Sequence, residues 1–245
     1  YYDTQKLYKN YLPKVLSFDE FKSVKSASGA MSFHMCNGET GQTIDIVEDR
    51  KLLSLLKYFS YYSFKARKSV KFIVIDMYSP YVSLIQKMFP NAQIIIDTFH
   101  LIQLISKSLN KTRIRAMKYN KNSYNKMKRY WKLILKDRNE LDCSKWKRYT
   151  CFPNLMTEID VVNYILDQSV ELKATYYKYQ ELLQSIKEKN YEVFIHEITN
   201  VNNSISDYMK TSIKTLIWFK DKIYNTFNNN YHNGYIEAVS YTHLT

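Results

Sequence analysis

Glycine and proline are scarce in this chain, with four of each among 245 residues. That scarcity excludes a collagen-like repeat and a low-complexity architecture. Cysteine is scarcer still. Cys36, Cys143 and Cys151 form no C-x-x-C pair, so neither a disulfide framework nor a zinc ribbon is supported, and a reducing compartment is expected. No apolar run approaches the roughly 18–20 residues that a membrane-spanning helix needs, so no membrane partner is expected. The longest runs, such as Phe72–Ile75, suit buried strands. No signal peptide is visible and no internal repeat recurs. The chain opens on Tyr1 rather than Met, and a fragment is the expectation.

Acidic charge is also in short supply. Lys and Arg number 36 against 23 Asp and Glu, a formal net charge of +13. Apolar residues make up 45% and charged residues 24%, so a packed core is expected and general disorder is not. The excess charge is concentrated: Leu101–Thr150 holds 15 basic and 3 acidic residues, whereas the remaining residues are almost balanced. Tyr119, Tyr124, Tyr130, Trp131 and Trp146 are interleaved with these bases. A positive stripe with aromatics is what a phosphate backbone attracts. A solvated helix face in a Lys-rich, Tyr-rich composition is the plainer alternative.

The first hundred residues read as alternating strands and helices. Val15–Phe21 is a short apolar strand carrying Asp19 and Glu20. Met31–Cys36 and Gln42–Val47 read as a hairpin, in which Asn37-Gly38 and Gly41 can supply positive φ angles. Lys51–Phe64 and Ser79–Phe89 have helical spacing, the second closed by Pro90. Val70–Ile75 and Gln93–Ile96 are strands that stop at Asp76 and Asp97. The order β-β-β-α-β-α-β predicts an α/β fold with a mixed sheet covered by helices. Beyond His100, Leu101–Met117, Val161–Ile186 and Ser204–Phe227 are predicted helices, the last with Ser204 as N-cap, and no strand is expected. The stretch from Asn228 to Gly234 then breaks the helical pattern with turn formers.

Asp19, Asp76 and Asp97 share one feature: each sits at or just inside the C-terminal end of a short apolar strand. Strand ends in an open α/β sheet line a crevice, so these acids can converge. Converging carboxylates repel unless a divalent cation neutralises them. Hard oxygen donors without a cysteine or histidine set favour Mg²⁺ or Mn²⁺, and two such ions would clamp both oxygens of a phosphodiester displacement. A single acid at a strand end is commonly a turn or cap residue. His100 can orient a phosphate or a carboxylate, or pack at a helix start. Cys143 and Cys151 read as structural or surface thiols.

The runs Phe18-Asp19-Glu20-Phe21, Glu48-Asp49-Arg50, Ile75-Asp76-Met77 with Tyr81, Phe89-Pro90-Asn91-Ala92-Gln93-Ile94 and Asp97-Thr98-Phe99-His100 resemble the DDE transposases of the ISL-three group of bacterial insertion sequences. Asn233-Gly234-Tyr235-Ile236-Glu237 is similar to the family segment bearing the final acid. The resemblance implies an RNase H-like core interrupted by a large all-helical insertion before the last catalytic helix. Carried over by position, Asp19, Asp76 and Glu237 are the catalytic and metal-holding acids, with two Mg²⁺ or Mn²⁺ ions; Glu20, Asp97 and His100 are active-site neighbours. Metal-dependent DNA strand cleavage and strand transfer follow as the implied activity, with double-stranded transposon ends and target DNA as partners. A homo-oligomer in the synaptic complex and a bacterial, cytoplasmic, nucleoid-associated location also follow. A DNA-binding remnant and a stand-alone RNase H-like nuclease are the alternatives.

The stripe residues expected to contact DNA are Lys107, Lys111, Arg113, Arg115, Lys118, Lys126, Lys128, Arg129 and Lys132. The expected domains are a linker remnant (1–13), the first part of the catalytic core (14–100), the basic insertion (101–227) and the start of the final core helix (228–245). Within the last, 238–245 departs from the family pattern and reads as foreign.

Overall fold

A computed structural model of the chain describes residues 9–23 and 30–231. The chain divides into two compact units, one formed by residues up to His100 together with those from Asp221 onward, the other by Leu101–Lys220.

The first unit is built on a five-stranded sheet. Strands β1 (Val15–Lys22), β2 (Met31–Asn37) and β3 (Thr43–Val47) are followed by helices α1 (Leu52–Phe59) and α2 (Phe64–Ser69). Then come β4 (Phe72–Ile75), α3 (Ser79–Met88) and β5 (Gln93–Ile96). The sheet order is β3-β2-β1-β4-β5. β2 runs antiparallel to β1 and β3, whereas β1, β4 and β5 are mutually parallel. The fold is therefore α/β with a mixed sheet, as predicted. One element was not expected: α2 forms separately from α1, with Ser63 Oγ accepting the Ala66 N–H at 3.3 Å as its cap. Arg67 of α2 donates to the Met88 carbonyl at 2.9 Å, tying α2 to the end of α3.

One face of the sheet is held by aromatic packing. Phe18 of β1 and Phe33 of β2 meet edge-on at 5.0 Å, and Phe59, Tyr81 and Phe89 from the covering helices complete the cluster. All five rings are essentially inaccessible to water. Burying a phenylalanine side chain contributes about 2–3 kcal/mol, so this cluster anchors α1 and α3 on the sheet.

The β2–β3 turn corrects one expectation. Only Gly41 takes a positive φ, 74°, while Gly38 is needed for space. A Cβ on Gly38 would lie 2.6 Å from Val15 Cγ1, and its N–H donates to the Val15 carbonyl at 2.9 Å. Asn37 Oδ1 accepts the Glu39 N–H, closing the turn. Residues from Lys9 onward also belong to this unit: Lys9 bridges Tyr62 and Leu12 is buried.

The second unit is mostly helical: most of α4 (Thr98–Tyr119), α5 (Tyr124–Arg129), α6 (Trp131–Leu135), α7 (Glu158–Leu166), α8 (Val170–Lys187), α9 (Tyr191–Thr199) and most of α10 (Asp207–Phe227). Its helices interlock through small buried hydroxyls. Ser108 and Ser212 meet at 2.6 Å, Thr112 donates to Ser206 at 2.6 Å, and the Ser206 N–H donates to Thr175 at 2.9 Å.

Three expectations need correction here. The insertion is not all-helical, because β6 (Lys147–Arg148) and β7 (Leu155–Met156) form an antiparallel ribbon. Strands of two residues are too short to show alternation in sequence. The predicted helix Val161–Ile186 is two helices, with Ser169 accepting the Leu172 N–H to start α8. The cap of α10 is Ser206, which accepts the Met209 N–H at 3.2 Å, rather than Ser204.

Candidate active site

The three aspartates predicted to converge lie in one row across the parallel strands. In the β1–β4 pair Ser17 faces Val74, and in the β4–β5 pair Val74 faces Ile95. Asp19, Asp76 and Asp97 each follow these partners by two residues, Asp19 within β1 and the other two just past the ends of β4 and β5, so their backbones stand at one level across the three strands. The ladder continues into the row, because the Asp97 N–H donates to the Ile75 carbonyl at 2.9 Å.

This row is buried. Asp97 is 1% exposed and Asp19 9% exposed. Burial pushes Asp76 up to about 6, assisted by the charges of Glu20 and Asp19 and opposed by His100 and the Tyr78 N–H. Asp19 is also raised, first by burial; the Glu20 N–H at 2.8 Å on its Oδ1 acts in the opposite direction. The Asp76 Oδ1 is buried and accepts no hydrogen bond. His100 Nε2 lies 3.9 Å from Asp97 Oδ2. An uncompensated carboxylate oxygen of this kind suits a hard divalent cation.

The flanking residues are set by local structure. Glu20 alternates to the opposite side of β1 from Asp19 and forms an ion pair with Arg50. The Arg50 guanidinium in turn lies 4.6 Å from the centre of the Tyr78 ring. The Tyr81 hydroxyl is buried without a hydrogen-bond partner, and burial with the Glu20 and Asp76 charges raises its affinity for its proton. The sequence pattern contained Arg50 but assigned it no task. His34 was missed altogether. It faces Asp19 across the β1–β2 pair, 3.0 Å from Thr43 Oγ1 and 3.3 Å from Cys36 Sγ. The antiparallel register of β1 and β2 was the signal that could have located it. Glu237 lies outside the described residues, as does the tail 238–245. Among the described residues, no three His, Cys, Asp or Glu side chains are grouped to hold a metal ion.

Residues 16–241 match the family described as Transposase, the DDE type of the ISL-three group. The chain belongs to that transposase family. The match spans most of the chain and runs four residues into the stretch 238–245. A curated protein described as an ATP-dependent protease, from Lactococcus lactis subsp. lactis, is 32% identical over 85 residues, which is 35% of this chain and 27% of that protein. The chain thus spans about a quarter of the length of that curated relative. The transposase chain itself has no G-x-x-x-x-G-K-[ST] phosphate loop in its sequence. No solved structure matches it. No helix among the described residues is long and apolar enough to cross a membrane.

The basic stripe of the transposase chain is mixed in exposure. Lys107, Lys111, Lys118, Lys128, Arg129 and Lys132 are exposed, and Arg115 and Lys126 are half-buried. Arg115 pairs with Glu171 and sits 5.0 Å from the centre of the Tyr208 ring. Arg113 differs. It is buried, donating to the Met127 carbonyl at 2.7 Å and to Asn110 Oδ1, so its guanidinium joins α4 to α5.

Proposed function

We propose that this chain carries the catalytic core of a metal-dependent transposase that cleaves DNA at insertion-sequence ends and transfers the freed strand to target DNA. The observation that carries the proposal is the row of Asp19 and Asp76 on adjacent parallel strands, with Asp76 Oδ1 buried and unsatisfied. The arrangement of the first acid on β1 and the second at the end of β4 supports reading the core as RNase H-like.

In this reading Asp19, Asp76 and Glu237 hold the divalent ions. Tyr231, the last described residue, packs against Phe72 at the start of β4, with ring centres 5.4 Å apart. Bound Mg²⁺ or Mn²⁺ would supply charge neutralisation at the attacking and leaving oxygens of the phosphodiester. The protein's own contribution is positional: the sheet register fixes Asp19 and Asp76 relative to each other before substrate arrives. Asp97 and His100 extend the row, and the Glu20–Arg50 pair buttresses β1 beside it. Exposed cations of the stripe would hold the polyanion.

Asp76→Ala tests this reading. Mg²⁺-dependent nicking of end-containing duplex should disappear while duplex affinity is kept or rises. Unchanged nicking would place the chemistry elsewhere. Strand transfer of a pre-cleaved end, compared with simple hydrolysis, separates a transposase from a nuclease.

A further inference from the structure

The second unit holds an open cavity of about 480 Å³, well away in sequence from the aspartate row. Volumes of this order are typical of sites for small organic groups. Trp146, Phe152, Pro153, Leu155 and Met156 give it apolar walls, and Asn154 places an amide at its lining. Trp146 is 64% exposed, although it is the largest side chain of the group. A tryptophan left in water beside an apolar hollow offers a flat, unused stacking surface.

The ribbon explains how the cavity is held. Lys147 pairs with Met156 and Arg148 with Leu155, so the two cations sit directly beside two of the apolar lining residues. Between the strands, Cys151 takes a φ of 75°, a left-handed conformation that a side chain rarely adopts, and Phe152 follows it into the cavity wall. Phe152 meets the Tyr164 ring edge-on at 5.1 Å. Lys126 spans both rings, 5.3 Å and 4.4 Å from their centres, and donates to the Tyr164 hydroxyl at 2.7 Å.

Exposed cations flank the cavity, while one carboxylate, Asp160, is among its lining residues. Lys147 and Arg148 are exposed on the ribbon, Lys145 just before it pairs with Asp142, and Lys128 and Arg129 line a second cavity with Cys151, the chain neighbour of Phe152. The nearby acids stay charged, and each is held by hydrogen bonds or an ion pair within the unit. Asp160 closes a capping box with Thr157, Asp142 accepts the Ser144 and Lys145 N–H groups, and Glu158 pairs with Lys136. An apolar peptide or a second copy of this basic chain would gain little from such a rim. A polyanion that presents a flat aromatic group matches both features.

We propose that this cavity takes an unstacked nucleobase of a DNA strand, stacked on Trp146, with its flanking phosphates on Lys147, Arg148 and Arg129. The inference rests on the reading of the chain as a DNA-handling protein, but not on the aspartate row being active. It assigns the ribbon a task separate from holding continuous duplex: the ribbon recognises a base that has left the stack.

The test is equilibrium binding of the full chain to three labelled duplexes, measured without divalent metal so that nicking plays no part. One duplex is perfect, one carries a single extrahelical thymine, and one carries an abasic bulge at the same place. Wild type should prefer the extrahelical base to the abasic bulge by about 5- to 100-fold, the range of one base–aromatic stack. Trp146→Ala should reduce that preference to less than about twofold while perfect-duplex affinity stays unchanged; Trp146→Phe should keep part of it. Because Trp146 is largely exposed, an unchanged melting temperature will show that the variant folds. Equal binding of the base and abasic bulges by wild type would overturn the proposal, as would a preference that survives Trp146→Ala. A concentration-dependent dimer abolished by Trp146→Ala would also overturn it, assigning the face to a second copy. A base preference that persists in Asp76→Ala, whether or not nicking is lost, would support the cavity proposal independently of the aspartate row.

Discussion

Asp19 and Asp76 stand beside each other on neighbouring parallel strands, each two residues beyond the paired Ser17 and Val74. Fifty-seven residues separate them along the chain, yet the hydrogen-bond register of β1 and β4 sets their spacing. A buried and a half-buried carboxylate at that spacing are unfavourable together, and several properties of the protein should report that cost.

The first is stability against pH without metal. Asp76 is raised to about 6 from an ordinary 3.8. Between those values the folded protein keeps a proton that the unfolded chain has lost, so stability falls as pH rises through this window and stays lower above it. Asp76→Asn removes the charge. In EDTA at neutral pH the variant should be more stable than wild type by about 1–3 kcal/mol, and near pH 4 the difference should vanish. Thermal melts at both pH values check this. A variant less stable than wild type at neutral pH would show that the carboxylate is satisfied.

Divalent metal should reverse that order. Mg²⁺ or Mn²⁺ is expected to raise the melting temperature of wild type in a concentration-dependent way, by binding the folded state alone. Glu237→Gln should weaken the effect and Asp76→Asn should remove most of it. Identical metal-induced shifts in all three proteins would exclude these side chains as ligands.

The basic stripe makes a separate prediction. Replacing Lys126, Lys128 and Arg129 together by Ala should weaken duplex binding and flatten the dependence of log K on log salt by up to about 3 units. Titrations at several salt concentrations read the slope directly. A slope that does not move would mean that these cations merely solvate the surface.

Arg113 should behave unlike its neighbours in sequence. Arg113→Ala leaves the Met127 carbonyl without its donor in a buried place, and a loss of about 1–3 kcal/mol is expected. Lys118→Ala, at an exposed site on the same helix, should change stability by less than about 0.5 kcal/mol. Chemical denaturation of both variants checks the contrast. Equal effects would mean that burial does not distinguish them.

Much of the first unit was legible in the residues because its signals are local. β5 starts and stops where Gln93–Ile96 did in the sequence, and the apolar run Phe72–Ile75 is β4 itself. Boundaries blurred where two elements share one helical period without a glycine or proline between them. Val161–Ile186 is such a case, since the break at Ser169 comes from a serine cap.

The sequence by itself determined the strand and helix alphabet, the concentration of positive charge between Leu101 and Thr150, and the acids at strand ends, because composition and periodicity are properties of neighbours along the chain. Only the tertiary structure decided that Asp19, Asp76 and Asp97 stand at one level across three parallel strands and that His34 lies opposite Asp19. It also decided that Arg113 is buried whereas Lys118 is exposed. Those outcomes depend on strand register and on which helix face meets another, and both are fixed by contacts between residues far apart in the chain.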